Sequence, residues 1–132
     1  MLLASTCKKE NSTESASVRL STPIEIAVNK KAIIRGSNLM LEVTEVADNR
    51  CPADVQCFSA GDVKVKLNIT GLNTDDTVLD FCMGQCESRY READTVYIQH
   101  QQEKYSLVLS EVNPYPGKGS GEKTAVFTLK KN

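Results

Sequence analysis

Apolar residues recur at every second position in several short runs of this chain. The clearest run covers residues 63–69 (VKVKLNI), where Val, Leu and Ile alternate with Lys64, Lys66 and Asn68. Such alternation predicts a β-strand with one buried side and one side facing water. Seven runs of this kind predict seven strands, at residues 24–28, 39–46, 63–69, 77–81, 95–99, 105–112 and 124–130.

Clusters of Gly, Asn, Asp and Pro separate these runs and are typical of turns. No segment carries an apolar stripe with the 3.6-residue spacing of a helix. The pattern therefore predicts an all-β fold, an antiparallel Ig-like β-sandwich of about seven strands, with a partly open β-barrel as the alternative. We expect residues 21–132 of the 132-residue chain to form this single domain.

The charge balance argues against two classes of function. The chain carries 16 basic and 17 acidic residues, for a net charge of −1. It therefore has no positive field that would attract nucleic acid or an anionic membrane surface. Because no apolar run approaches ~18 residues, we also expect no membrane span.

The amino terminus predicts export and lipid attachment. Residues 1–7 (MLLASTC) are a short apolar run with small residues before Cys7. They resemble the end of a bacterial lipoprotein signal peptide, although Ala4 stands where such signals carry Leu. The resemblance implies diacylglycerol on the Cys7 thiol, and the alternative is an unmodified thiol. Residues 8–20, rich in Ser, Thr, Glu and Lys, predict a flexible tether. We expect a lipid-anchored protein of a Gram-negative cell envelope, either periplasmic or surface-exposed.

The other four cysteines permit three disulfide pairings. Spacing favours the local bridges Cys51–Cys57 and Cys82–Cys86, because each short loop can bring its two Cα atoms within ~6 Å. Cross-pairing between the two loops is the alternative. Gaps of five and three residues differ from the two-residue gaps of structural zinc sites. We therefore expect no metal and no cofactor.

Nothing in the sequence forms a convincing catalytic set. His100 is the single histidine, so a Ser-His-Asp or Cys-His arrangement would have to use it. It lies in the turn-like run 99–103 (QHQQE), which predicts a solvent-exposed hairpin residue. We therefore expect a protein that is not an enzyme.

Two segments carry a resemblance to known proteins: residues 48–63 (DNRCPADVQCFSAGDV) and residues 112–116 (VNPYP). They resemble a group of small exported bacterial proteins of unknown function with an Arg-Cys-Pro…Cys-x-Trp-Ala-Gly segment and a late Pro-Tyr-Pro. The resemblance implies a periplasmic or cell-surface β-domain. The present chain departs from the pattern at Ser59, which replaces the Trp, and in the additional Cys82 and Cys86.

The same two segments supply the candidate interaction surface. Arg50 has a fork of donors that suits a loop carbonyl or a carboxylate such as Asp48 or Asp54. Two prolines force an extended kink that places Tyr115 either against the sandwich or outside it as an anchor. The candidate residues are Arg50, Pro52, Asp54, Pro114, Tyr115 and Pro116.

These observations predict a monomeric, non-catalytic binding module for an unidentified envelope or extracellular partner. The alternative function is inhibition of an extracellular enzyme such as a protease, in the manner of Ig-like inhibitors that insert loops into an active-site cleft. The alternative requires that the loop between Cys51 and Cys57 and the loop at residues 114–121 lie at the same end of the sandwich.

Overall fold

The computed structural model describes residues 15–18, 20–72, 77–87 and 89–132. Within these residues the chain forms ten strands. They are β1 (Ser15–Val18), β2 (Ile24–Ala27), β3 (Lys31–Ile34), β4 (Leu39–Asp48), β5 (Asp62–Thr70), β6 (Thr77–Cys86), β7 (Arg89–Arg91), β8 (Asp94–His100), β9 (Glu103–Asn113) and β10 (Thr124–Lys131).

The strands form two separate sheets, which pack face to face as a sandwich. One sheet has the order β1-β3-β4-β5-β6-β7 and the other has the order β2-β10-β9-β8. Neighbouring strands are antiparallel, except that β1 runs parallel to β3. The predicted all-β sandwich is therefore confirmed, with two open sheets instead of the alternative barrel and with ten strands in place of seven.

The core lies between the sheets and consists of the inward residues of the alternating runs. Leu41, Leu67 and Leu107 are fully buried there. Phe81 of β6 and Phe127 of β10 meet across the two sheets with ring centroids 5.1 Å apart, in an edge-to-face arrangement. The interdigitation of branched aliphatic side chains around this aromatic pair holds the sheets together.

Three strands were absent from the sequence-based prediction. Strands β3 (KAII) and β7 (RYR) are four and three residues long, and neither carries a repeated alternation between apolar and polar residues. Strand β1 occupies part of the segment predicted as a flexible tether, residues 8–20, and pairs with β3. Leu20 also packs against the core. Strand pairing among the described residues thus extends before residue 21, whereas Cys7, residues 8–14 and Arg19 lie outside them.

The prediction that His100 is a solvent-exposed hairpin residue is wrong. The turn between β8 and β9 consists of only Gln101 and Gln102, both with positive φ, so β8 extends through residue 100. Period-two alternation from the buried Ile98 then places His100 on the inward face. Its side chain is 2% exposed, and its Nε2 lies 2.8 Å from the carbonyl oxygen of Ser37.

Both predicted local disulfides are present. The Cα atoms of Cys51 and Cys57 lie 5.9 Å apart, and those of Cys82 and Cys86 lie 6.1 Å apart. Among the residues described, no helix has the length and apolar character needed to cross a bilayer.

Candidate functional site

Asp48 and Arg50 form a buried ion pair at the end of β4. Arg50 donates from Nε to Oδ1 of Asp48 at 2.8 Å and from Nη2 to Oδ2 at 2.6 Å. The same Nη2 also donates to the carbonyl oxygen of Val112, 3.0 Å away on β9 of the other sheet. Since the two side chains are only 5% and 11% exposed, the pair joins the two sheets at this end.

Lys123 completes the ion pair from a third segment, and the sequence analysis did not identify it. Its Nζ lies 2.8 Å from Oδ2 of Asp48 and also donates to the carbonyl oxygen of Pro114. Asp48 and Lys123 are 75 residues apart, so no local pattern could have connected them. Burial raises the pKa of Asp48, but hydrogen bonds from Arg50 and Lys123 outweigh it and hold that pKa below its ordinary value of 3.8.

The disulfide loop and the Pro-Tyr-Pro loop lie side by side at this end of the sandwich. The amide of Ala53 donates to the carbonyl oxygen of Pro116 at 2.9 Å. The guanidinium of Arg50 stacks on the ring of Tyr115 at 4.5 Å from its centroid. Gly117 sits so close to the disulfide loop that a Cβ there would lie 2.9 Å from the Ala53 nitrogen. We call residues 49–61 and 114–121 together the loop end.

The structure thus brings the predicted interaction residues to one surface, with unequal exposure. Arg50 is largely buried by its ion pair and by Tyr115. Tyr115 itself is 36% exposed. Asp54 is exposed, and Pro52 is half-buried at a turn closed by the Val55 amide. Arg50 therefore holds the surface together, while Asp54 and Tyr115 are accessible to a partner.

Phe58 is the most prominent side chain of the loop end, and the sequence analysis did not select it. The other two phenylalanines, Phe81 and Phe127, form the core pair, whereas Phe58 is fully exposed. Val55, on the same loop, is 54% exposed. An open depression of about 320 Å³ is lined by Gln56, Cys57 and Phe58. The sequence carries one signal of this exposure: Phe58 directly follows a loop cysteine and lies outside any alternating run.

Backbone contacts fix the base of the disulfide loop that carries Phe58. The amide of Cys51 donates to the carbonyl oxygen of Ala60 at 2.7 Å, and the amide of Asn49 donates to that of Asp62 at 2.7 Å. Gly61 closes the loop with φ of 74°, and a Cβ there would lie 2.1 Å from the Asn49 oxygen. Only glycine fits this position.

Among residues 15–18, 20–72, 77–87 and 89–132, no group of three or more His, Cys, Asp or Glu side chains has an arrangement that could hold a metal ion. Within that part of the chain, the His100 side chain has its one hydrogen-bond contact with the Ser37 carbonyl, and its Nδ1 is buried without a partner. The loop end is therefore a surface of exposed apolar and aromatic side chains on a braced backbone.

No family model, no curated protein and no solved structure matches this chain.

Proposed function

We propose that this protein is a non-catalytic interaction module of the Gram-negative cell envelope, anchored by a lipid on Cys7, that binds a protein partner through its loop end. The observation that carries the proposal is the full exposure of Phe58 on a loop braced by the Cys51–Cys57 disulfide. Large aromatic side chains dominate the binding energy of many protein interfaces.

Preorganisation supports the same proposal. A loop that is already fixed loses little conformational entropy when it binds, so more of the contact energy remains as affinity. At the loop end, the backbone is held by the disulfide, by the Ala53–Pro116 hydrogen bond and by the buried ion pair of Asp48. Phe58, Val55 and Tyr115 supply the apolar contact area.

Photo-crosslinking in cells of the producing organism tests the partner. A photoreactive phenylalanine analogue at position 58 should give a specific crosslinked protein. The same analogue at Tyr97, which is 71% exposed on β8, should not. Equal products at the two positions, or none at position 58, would count against the loop end as the binding surface.

The anchor is tested separately by the intact mass of the full chain extracted from membranes. Lipidation of Cys7 gives a diacylglycerol mass increment, and reduction of two disulfides adds four hydrogen masses. An unmodified Cys7 thiol in the membrane fraction would refute the anchor and leave the loop-end proposal standing.

Inhibition of an extracellular protease is the second candidate, since the two loops lie at the same end of the sandwich. The Ala53–Pro116 hydrogen bond holds the two loops next to each other, which supports a mode of inhibition that uses both loops. Purified protein should then titrate the activity of a secreted endopeptidase stoichiometrically, and Phe58→Ala should abolish the inhibition. Unchanged activity across a panel of envelope and extracellular proteases would exclude this candidate.

A further inference from the structure

A groove of about 380 Å³ lies on the outer face of the six-stranded sheet, next to the strand ends that carry the disulfide loop. Its lining comes from β4, β5 and β6, with two residues from the β7–β8 region. The lining residues are Glu45, Ala47, Lys64, Lys66, Asp80, Phe81, Cys82, Arg91 and Asp94. Sites for small molecules have volumes of roughly 300–1,000 Å³. The groove is therefore large enough for a small organic ligand.

The strand register sorts the charges of this groove into rows. In one row Lys66 stands between Glu45 and Asp80, and its Nζ lies 2.9 Å from the Asp80 carboxylate. This cation is already balanced by acids on both neighbouring strands. An anionic ligand gains little from it.

The next row contains a cation with no acid directly across from it on either neighbouring strand. Lys64 stands between Ala47 on β4 and Cys82 on β6, neither of which is charged. Within the described ranges Lys64 makes no ion pair. Its ammonium group is therefore available to an anion that enters the groove.

Arg91 supplies a second donor set beside Lys64. Its Nη1 lies 3.2 Å from Oδ1 of Asp94, and Oδ2 of Asp94 accepts from the Cys82 amide at 2.9 Å. The Nε of Arg91 is buried and has no hydrogen-bond partner among the described residues. A buried donor without a partner is costly, so the Arg91 guanidinium is not fully satisfied by its protein contacts.

The Cys82–Cys86 disulfide explains why Arg91 lies over this face. Four residues of straight strand would span about 13 Å, whereas the two Cα atoms are 6.1 Å apart. Strand β6 therefore bends between them, at Gly84 with φ of 92°. Arg91 of β7 pairs with Gly84 at this bend, and its side chain lines the same groove as Lys64. Both side chains, together with Cys82, also line an adjacent cavity of about 110 Å³.

We propose that this groove binds a small monocarboxylate with an apolar body. The carboxylate would lie between the Lys64 ammonium and the Arg91 guanidinium, and the apolar body would rest on Ala47 and the disulfide. The acids of the groove explain the restriction to one negative charge. A second carboxylate would meet Glu45, Asp80 or Asp94, or else Asp62 and Glu87 of the adjacent cavity.

Titration of the ¹⁵N-labelled full chain with hexanoate, followed by NMR, tests the proposal. We expect saturable shifts at the amides of Lys64, Cys82 and Arg91, with a dissociation constant of about 1 mM for so small a ligand. Hexanol and hexylamine have the same apolar body and should give no such shifts. A second arm compares acetyl-leucine with its amide, because a peptide carboxyl terminus offers the same carboxylate as a free organic acid.

Matched variants separate the groove from general charge effects. Lys64→Gln and Arg91→Gln should each raise the dissociation constant of hexanoate at least about fivefold, because each variant loses a charge-assisted hydrogen bond to the carboxylate. Lys130→Gln removes the same charge at an exposed position of β10 and should change it less than twofold. Lys64 is exposed, so its variant should keep the wild-type spectrum. Equal shifts with hexanol, shifts that do not saturate, or an unchanged constant in Lys64→Gln would overturn the proposal.

Discussion

Asp48 is the residue on which the loop end depends most. Its buried carboxylate accepts hydrogen bonds from Arg50 and Lys123, and through them it contacts β9 and the Pro-Tyr-Pro loop. Replacing one member of a buried ion pair leaves the opposite charge without compensation. Replacing Asp48 should therefore lower the free energy of unfolding much more than replacing an exposed acid of the chain.

Asp48→Ala should lower the free energy of unfolding by about 3 kcal/mol, because it leaves two cations partly buried without their acceptor. Asp80→Ala is the matched control. Asp80 pairs with Lys66 at the surface, with 74% of its side chain exposed, and its loss should cost less than about 1 kcal/mol. Urea denaturation measures both values. Equal losses in the two variants would show that Asp48 does not hold the loop end together.

Asp48 also predicts a pH dependence. Its pKa in the folded protein lies below the ordinary value of 3.8. Its stabilising contribution is therefore complete above about pH 4 and is lost as the pH falls through the lower, folded value. The difference in unfolding free energy between the wild type and Asp48→Asn should shrink steadily below pH 4. A difference that is constant from pH 6 to strongly acidic conditions would contradict the lowered pKa.

At the scale of elements, the alternation of apolar residues predicted where most strands lie. Where the alternation is interrupted, the structure has an irregularity in the strand. In β4 the buried residues Leu39, Leu41 and Val43 follow period two, but Val46 is out of phase. The register shift between Val43 and Glu45 is a bulge that returns Val46 to the inner face. The three-residue spacing from Val43 to Val46 is visible in the sequence, but the strand that pairs across this bulge is known only from the fold.

The loop end was also only partly predictable from the sequence. The cysteine spacing and the prolines predicted two shaped loops, and Arg50 was correctly expected to pair with a nearby carboxylate. The position of Lys123 and the exposure of Phe58 required the tertiary structure, because they depend on which strands become neighbours. His100 was misplaced because a two-residue turn was read as a longer loop.

Glycine substitution tests the close approach at the base of the disulfide loop. Gly61 and Gly36 both have positive φ, 74° and 79°, but only Gly61 faces a backbone oxygen where its Cβ would be. Gly36→Ala should cost about 1–2 kcal/mol from backbone conformation alone. Gly61→Ala should cost at least about 3 kcal/mol, since the backbone must also shift. Thermal or urea unfolding of the two variants measures both losses of stability. Equal losses would mean that the base of the disulfide loop is not closely packed.

Across the whole molecule, each of the two surfaces has its own disulfide, and the supports meet at Gly61, whose carbonyl oxygen accepts from the Gln85 amide at 2.8 Å. The Cys51–Cys57 disulfide and the Asp48 ion pair support the loop end, whereas the Cys82–Cys86 disulfide shapes the outer-face groove. Disulfides that close such short loops stabilise a fold only modestly, because their effect grows with loop length. Their principal effect here is on local shape, and each disulfide should matter more for its own surface than for global stability.

We infer that the two loops of the loop end form one preorganised unit, and amide hydrogen exchange at Ala53 measures this. This amide donates to the Pro116 oxygen across the two loops, whereas the Val55 amide donates to Pro52 within one loop and serves as the control. We expect Ala53 to exchange at least about 100-fold more slowly than in an unstructured peptide, and Asp48→Asn to remove most of this protection while leaving Val55 unchanged. Exchange of Ala53 at the unstructured rate in the wild-type protein would contradict the claim.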